Sequence, residues 1–387
     1  MTAIWVNGAS RIWRLTKWEL YKIISRKLVW FAAACLIVLP WMWFISAQTS
    51  GSPISAALWY EPHTRPPTAR QYQTAERGSS VVFERLMKVR GQPPAALMRE
   101  FNGDNAIIQA VTARRQVQGV IADARQQSLR SASGSFAHKA ATIELHMMGR
   151  LPAPGWGDTS FTGLMYSASF SDGLGYILLG LVIILAITPV WPNERTSGVH
   201  RLLRGAALGR RETVLAKVAA AMLFGFMVAI VYGISNFSVA LATTGLTDWS
   251  SPLASSNGFF LSPYDLAIGP YFFLAIAWQV LGCGTVALLT LLTSAVSRSL
   301  LVGAGLALLI YMAPAFVISL QNATLDKLLQ FDPSWAIRSA EMYETFRVVD
   351  VLGQPVLYPL AMLIALVLGI LLLTGVVGVT WMRAEPE

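Results

Sequence analysis

Apolar side chains along the chain gather into six long runs: Leu28 to Ala47, Gly173 to Trp191, Val218 to Leu241, Gly269 to Thr293, Leu300 to Leu320 and Leu357 to Met382. Each is close to the roughly 20 residues with which a helix crosses a bilayer. The polar stretches between them have patterns of their own. From Arg11 to Arg26, helical spacing puts Ile12, Trp13, Leu20, Ile23 and Ile24 on one side and Arg11, Arg14, Lys22, Ser25 and Arg26 on the other, which predicts an interfacial helix. The separation is imperfect, because Lys17 and Lys27 fall on the apolar side and Leu15 and Trp18 on the polar one. Trp5, Trp13 and Trp18 suit the headgroup layer. Between the first two runs, Ile107, Ile108, Val111, Val117, Val120, Ile121 and Ala124 approximate one helix face after an N-cap at Asp104, and a second amphipathic stretch covers Phe136 to Met148. Pro152, Pro154, Gly155 and Gly157 read as the linker into the second run. This segment of about 125 residues is long enough to bury a small core.

The expected fold is therefore an all-α membrane protein: six transmembrane helices, an N-terminal interfacial helix and a mainly helical extracytoplasmic insert. The division runs 1–27 for the interfacial helix, 28–47 for the first span and 48–172 for the insert. A five-span bundle at 173–382 contains a cytoplasmic loop at 192–217 and an external loop at 321–356, and 383–387 is a cytoplasmic tail. Composition agrees, with 54% hydrophobic and 13% charged residues against roughly 25% charged in soluble domains. The net charge of +9 matters through its placement. Arg11, Arg14, Lys17, Lys22, Arg26 and Lys27 precede the first run, and Arg195, Arg201, Arg204, Arg210, Arg211 and Lys217 separate the second from the third. Only Lys327, Arg338 and Arg347 sit in the short loops of the opposite side. The positive-inside rule then places both termini in the cytoplasm of a multi-pass cell-membrane protein, and no role for nucleic acid follows from the charge. The first run is too long for a signal-peptide core, so it is expected to stay attached as an anchor.

Residues that could carry chemistry are mostly absent from the apolar runs. The six runs hold no Asp, Glu, Lys, Arg or His, and their most polar side chains are the amides of Asn236 and Gln279, which suit helix-to-helix hydrogen bonds. Ion relays through a membrane need buried ionisable groups, so antiporters and pumps of that kind are disfavoured. There is no aspartate pair, Ser/His pair or H-E-x-x-H for an intramembrane protease, and no G-x-x-x-x-G-K-[ST] loop for a nucleotide. His63, His138, His146 and His200 lie outside the runs, and Cys35 and Cys283 lie inside them without metal or disulfide spacing. No catalytic, cofactor or metal residues are expected. Gly205 and Gly209 form a G-x-x-x-G in a charged loop, where it carries little weight.

The informative segment runs from Pro192 to Lys217. It reads as a short helix, a turn and the start of the next span, with Glu194, Arg195 and Arg201 facing outward to dock a soluble partner. Its plainer reading is an ordinary positive-inside loop. In order, Glu194, the Ser197-Gly198 pair, the Leu202-Leu203 step, Arg211 and Lys217 resemble the permease subunits of type-2 ATP-binding-cassette exporters, as does the layout of interfacial helix, six spans and long first external loop. The large insert and the prolines Pro189 and Pro192 depart from the smallest members of that family. The resemblance implies an ATPase-coupling loop containing these residues and a separate ATPase subunit that hydrolyses the ATP. It also implies a second permease, as homo- or heterodimer, and short helices dipping towards the membrane within Gln321 to Val356. Membrane lipids complete the expected partners, and the cargo would be lipidic, peptide or drug-like. The rival classes are a membrane-anchored sensor or scaffold whose external domain binds a ligand or protein, and an integral membrane enzyme, for which no set of catalytic side chains can be assembled. On the coupling reading, charge reversal at Glu194 is expected to uncouple without unfolding.

The orientation is directly testable. A cysteine introduced at Ser133 is expected to react with an impermeant maleimide in intact cells, and labelling only after the membrane is breached would reverse the assignment.

Overall fold

The computed structural model describes residues 2–49, 67–91, 93–151, 174–199, 209–244, 249–256, 258–297, 299–320 and 329–383. The chain is mainly helical. Helices α1 (Thr2–Ile24) and α2 (Lys27–Thr49) are followed by α3 (Ala69–Lys88), α4 (Ala95–Arg130) and α5 (Phe136–Met148). Then come α6 (Leu174–Ile187), α7 (Val190–Thr196), α8 (Gly209–Thr244), α9 (Ile268–Val296), α10 (Leu300–Leu320), the short α11 (Pro333–Ile337) and α12 (Tyr358–Arg383). Among the described residues, four segments are long and apolar enough to cross a membrane: Gly175–Thr196, Arg211–Val239, Ile268–Val296 and Tyr358–Trp381. The chain is a multi-pass membrane protein. The other two expected spans correspond to α2 and α10, in which Lys27–Leu39 and Leu300–Pro314 form shorter apolar helices.

Helix α9 is the centre of the bundle, packed on α6, α8, α10, α11 and α12. Its contact with α8 depends on glycine. A Cβ on Gly225 of α8 would stand 2.7 Å from the Cys283 carbonyl oxygen and 3.0 Å from its carbon, so the two backbones touch with no side chain between them. Water cannot drive helices together in lipid, and such close van der Waals contact is what replaces it. On α10, Tyr311 lies over Gly180 of α6 and donates its hydroxyl to the Tyr176 carbonyl at 2.6 Å. Near the middle of α9, Gly282 leaves room for Pro333 and Ile337, so α11 dips back alongside the body of that helix. Asp332 starts α11 by accepting from the Ser334 N–H at 2.8 Å, with Pro333 in the first turn, a common helix start. A second, aromatic core including Phe259, Tyr271, Phe272, Trp278 and Tyr343 fills the α11 end, where the Trp278 indole donates to the Tyr343 hydroxyl at 2.8 Å.

Three details differ from the sequence expectation. Asp104 is no N-cap: it lies inside α4, whose helix begins at Ala95, because the pattern breaks there without a residue that stops a helix. The segment before the last span is not purely helical, since β1 (Val348–Val351) pairs antiparallel with β2 (Gln354–Leu357). Its turn carries Leu352 and Gly353 at φ 53° and 78°, and the Asp350 carboxylate accepts from the Gly353 N–H. Finally, Pro189 and Pro192 do not end the second span. They split it into α6 and α7, and the apolar helix continues to Thr196, so Glu194 and Arg195 belong to its end and not to a loop.

Replacing Gly225 by alanine is expected to lower the thermal midpoint of the purified chain by the equivalent of about 1–3 kcal/mol, the usual cost of overpacking. Gly305→Ala, inside α10 where a Cβ meets nothing within 4 Å, is expected to leave the midpoint unchanged or raise it slightly, since alanine favours a helix over glycine.

Candidate functional site

The site is assembled where α1, α7 and α8 meet. On α1, Thr16, Glu19 and Ile23 follow at three- and four-residue steps and are all buried against the bundle. On α8, Lys217 is fully buried: its side chain has no accessible surface. An ammonium ion in such a place requires compensation in full. The Lys217 Nζ donates to Glu194 Oε1 at 2.6 Å and to Glu19 Oε2 at 2.9 Å, and it sits 4.9 Å from the centre of the Trp191 ring. Lys22, half exposed at the rim, donates to Glu19 Oε1 at 2.9 Å and to Glu194 Oε1 at 3.2 Å. Two ammonium groups and two carboxylates thus alternate in one cluster. Trp191 is backed by Trp381 of α12, ring centres 4.1 Å apart, so the last span closes the site from behind.

The electrostatics follow from burial and partners. Desolvation would raise the Glu19 carboxyl, but the charge of Lys217 and hydrogen bonds from Lys22 and Lys217 outweigh it and hold it below the ordinary range. Lys22 is pushed up by Glu19 and Glu194 against the opposing effect of its burial. Among the described residues, Glu194 Oε2 finds no hydrogen-bond donor, leaving one carboxylate oxygen buried and unused.

Two arginines extend the cluster into neighbouring helices. Arg26 donates to the Ala186 carbonyl at 2.8 Å in the last turn of α6. Arg195 donates to the Ser297 carbonyl at 2.8 Å and to that of Ala295, so it covers carbonyls that the C-terminus of α9 leaves without helical partners. The neighbouring Ser294 of α9 donates to the Thr188 carbonyl at 2.6 Å, at the break between α6 and α7. Consecutive residues of one short helix, Glu194 and Arg195, therefore reach opposite ways: one to α1 and α8, the other to α9.

The expected positions fare unevenly. Glu194 does not face outward, because the buried charge of Lys217 draws it in, and Arg195 is turned to α9. Ser197 and Gly198 end α7: Ser197 Oγ donates to the Glu194 carbonyl, and Gly198 takes φ 71°, a conformation that favours glycine. Arg211 is exposed at the start of α8, away from the cluster. Leu202, Leu203, Arg201 and Arg204 lie outside the described residues. Sequence reading missed Glu19, Lys22, Arg26, Trp191 and Trp381. One signal was present: Glu19 is the only acid between Arg11 and Lys27.

Elsewhere, burial pushes the carboxyl of Asp332 up to about 6 against the hydrogen bonds it accepts from Ser334. Near it, Arg338 pairs with Glu341 and lies over the rings of Tyr176 and Trp335. No group of His, Cys, Asp and Glu among the described residues could hold a metal ion. No protein-family model matches the chain, and no curated protein matches it.

Glu194→Lys would bring a third ammonium beside Lys22 and Lys217, so it is expected to unfold the site and not merely uncouple it. Lys217→Met strands two buried carboxylates on Lys22 alone and is expected to cost about 3–5 kcal/mol of stability. Adding Glu19→Gln and Glu194→Gln to it is expected to restore most of the loss, because no buried charge then remains in the cluster and the half-exposed Lys22 ammonium can be solvated by water. Thermal unfolding in detergent compares the two variants; a triple variant no more stable than Lys217→Met would refute the electrostatic account.

Proposed function

We propose that this chain is the permease subunit of an ATP-driven exporter, with six spans, both termini and 192–217 in the cytoplasm, and the 48–172 insert outside the cell membrane. A separate ATPase would bind at the end of α7 and the loop that follows, and a second permease would complete the pathway. The observation that carries this reading is the double attachment of α7. A push on it would reach α1 and α8 through Glu194 and α9 through Arg195, and α9 touches most of the bundle. That is the mechanical connection an ATPase-driven bundle needs. The residues of the cluster are held rigidly, so displacement there is transmitted and not absorbed. The chain itself would carry out no covalent chemistry. The interiors of the four long apolar segments hold no Asp, Glu, Lys, Arg or His; Glu194, Arg195, Arg211, Glu212 and Lys217 are confined to their ends. This favours ATP over an ion gradient as the source of energy.

The rival reading, a membrane-anchored sensor, has one observation in its favour: a half-open groove of about 400 Å³ between α3 and α4, lined by residues including Tyr72, Glu76, Arg114 and Arg115.

The expectation is that the chain co-purifies with an ATPase bearing a phosphate-binding loop. Cargo movement in reconstituted vesicles should need that partner and ATP, and should continue when proton and sodium gradients are collapsed. Movement by the isolated chain under an imposed gradient, with no ATPase present, would overturn the reading, and would turn attention to Asp332 and Glu341 beside α9.

A further inference from the structure

The outward side of α1 has a chemistry of its own. Its inward face is Thr16, Glu19 and Ile23, packed on the bundle. Opposite them, Arg11, Arg14, Trp18, Tyr21 and Ser25 follow at three- and four-residue steps, share one face and are all exposed. Trp13, Trp18 and Tyr21 expose 53%, 65% and 62% of their surface. That is a large apolar area to leave bare on a helix that already has a packed face. The aromatic rings are interleaved with cations: the Lys17 ammonium lies 5.4 Å from the Trp13 ring centre, and Trp18 meets Tyr21 edge-on at 6.0 Å. Glu19, the one acid between Arg11 and Lys27, is withdrawn into the ion-pair cluster with Lys217. What remains outside, Arg11, Arg14, Lys17 and Lys27, has a single sign of charge.

We propose that this outward face of α1 is a binding surface for anionic phospholipids, the aromatic rings lying at headgroup level and the basic side chains taking the phosphates. Continuity favours a lipid surface over an acidic protein. Only Ser25 and Arg26 separate α1 from the apolar α2, whose Leu28, Trp30 and Phe31 are likewise exposed, so the cationic aromatic face runs directly into an apolar one. Tryptophan and tyrosine with basic residues at such a boundary match the layered chemistry of a membrane interface. The buried ion pairs hold α1 in place before any lipid arrives, so little ordering is lost on binding. The proposal requires a membrane but not the exporter reading.

The test uses the full chain reconstituted in mixed bilayers, with electron spin resonance comparing spin-labelled phosphatidylglycerol and phosphatidylcholine at the protein surface. Several-fold preference for phosphatidylglycerol is expected, declining as sodium chloride is raised. In Arg11→Gln/Arg14→Gln/Lys17→Gln the preference should fall to near parity, since each basic residue near an anionic surface is worth up to about fivefold. Arg77→Gln/Arg85→Gln/Arg125→Gln, exposed positions on α3 and α4, removes the same net charge and should leave it intact. Equal association of the two lipids with the unaltered chain, or an undiminished preference in the α1 variant, would overturn the proposal. So would loss of the preference in inorganic phosphate but not in sodium chloride of equal ionic strength, which would mark a phosphate pocket. Loss of a co-purifying protein in the α1 variant with lipid preference unchanged would make the face a protein-docking surface instead.

Discussion

A single buried ammonium ion, that of Lys217, constrains the architecture where α1, α7 and α8 meet. It has no exposed surface, and a charge in that position is tolerated only with counterions at hydrogen-bond distance. Glu194 must therefore turn inward from the end of α7, and Glu19 must do so from α1. The first requirement fixes where the second span ends; the second fixes which face of α1 touches the bundle. Trp191 and Trp381 complete the enclosure, so the last span is held by the same group. Four elements distant in sequence are positioned by one side chain.

The other organising element is α9, and the forces there are different. Along its length the contacts are made by absent side chains: Gly225 against the Cys283 carbonyl, and Gly282 beneath Pro333 and Ile337. At its end they are polar, where Arg195 satisfies the carbonyls of Ala295 and Ser297 and Ser294 reaches Thr188. The two proline residues that interrupt the second span are thereby explained. The break at Thr188 and Pro189 exposes a carbonyl to Ser294, and the short helix after it can point Glu194 and Arg195 to different neighbours. Charge attraction ties α7 to one side of the bundle and carbonyl capping ties it to the other.

This arrangement makes α7 a joint between two sides of the bundle and not a loose loop. Residues selected for their outward display in a docking reading turn out to be internal fasteners. The same cluster withdraws the acid of α1 from its surface, which is why that surface is uniformly cationic.

The apolar runs, the amphipathic character of α1 and the Phe136–Met148 helix were legible in the sequence, since hydrophobic periodicity is a local signal. The sequence did not determine which way Glu194 points, because an acid beside arginines reads as solvated until a buried lysine is brought to it from another helix. Nor could it show that Pro189 and Pro192 continue a span, that Asp104 lies inside a helix, or that Gly225 and Gly282 admit neighbouring backbone. Contacts between distant parts of the chain settle these, because each depends on groups far apart in sequence meeting where water is excluded. There an unpaired charge or a surplus methyl group costs far more than any local preference supplies.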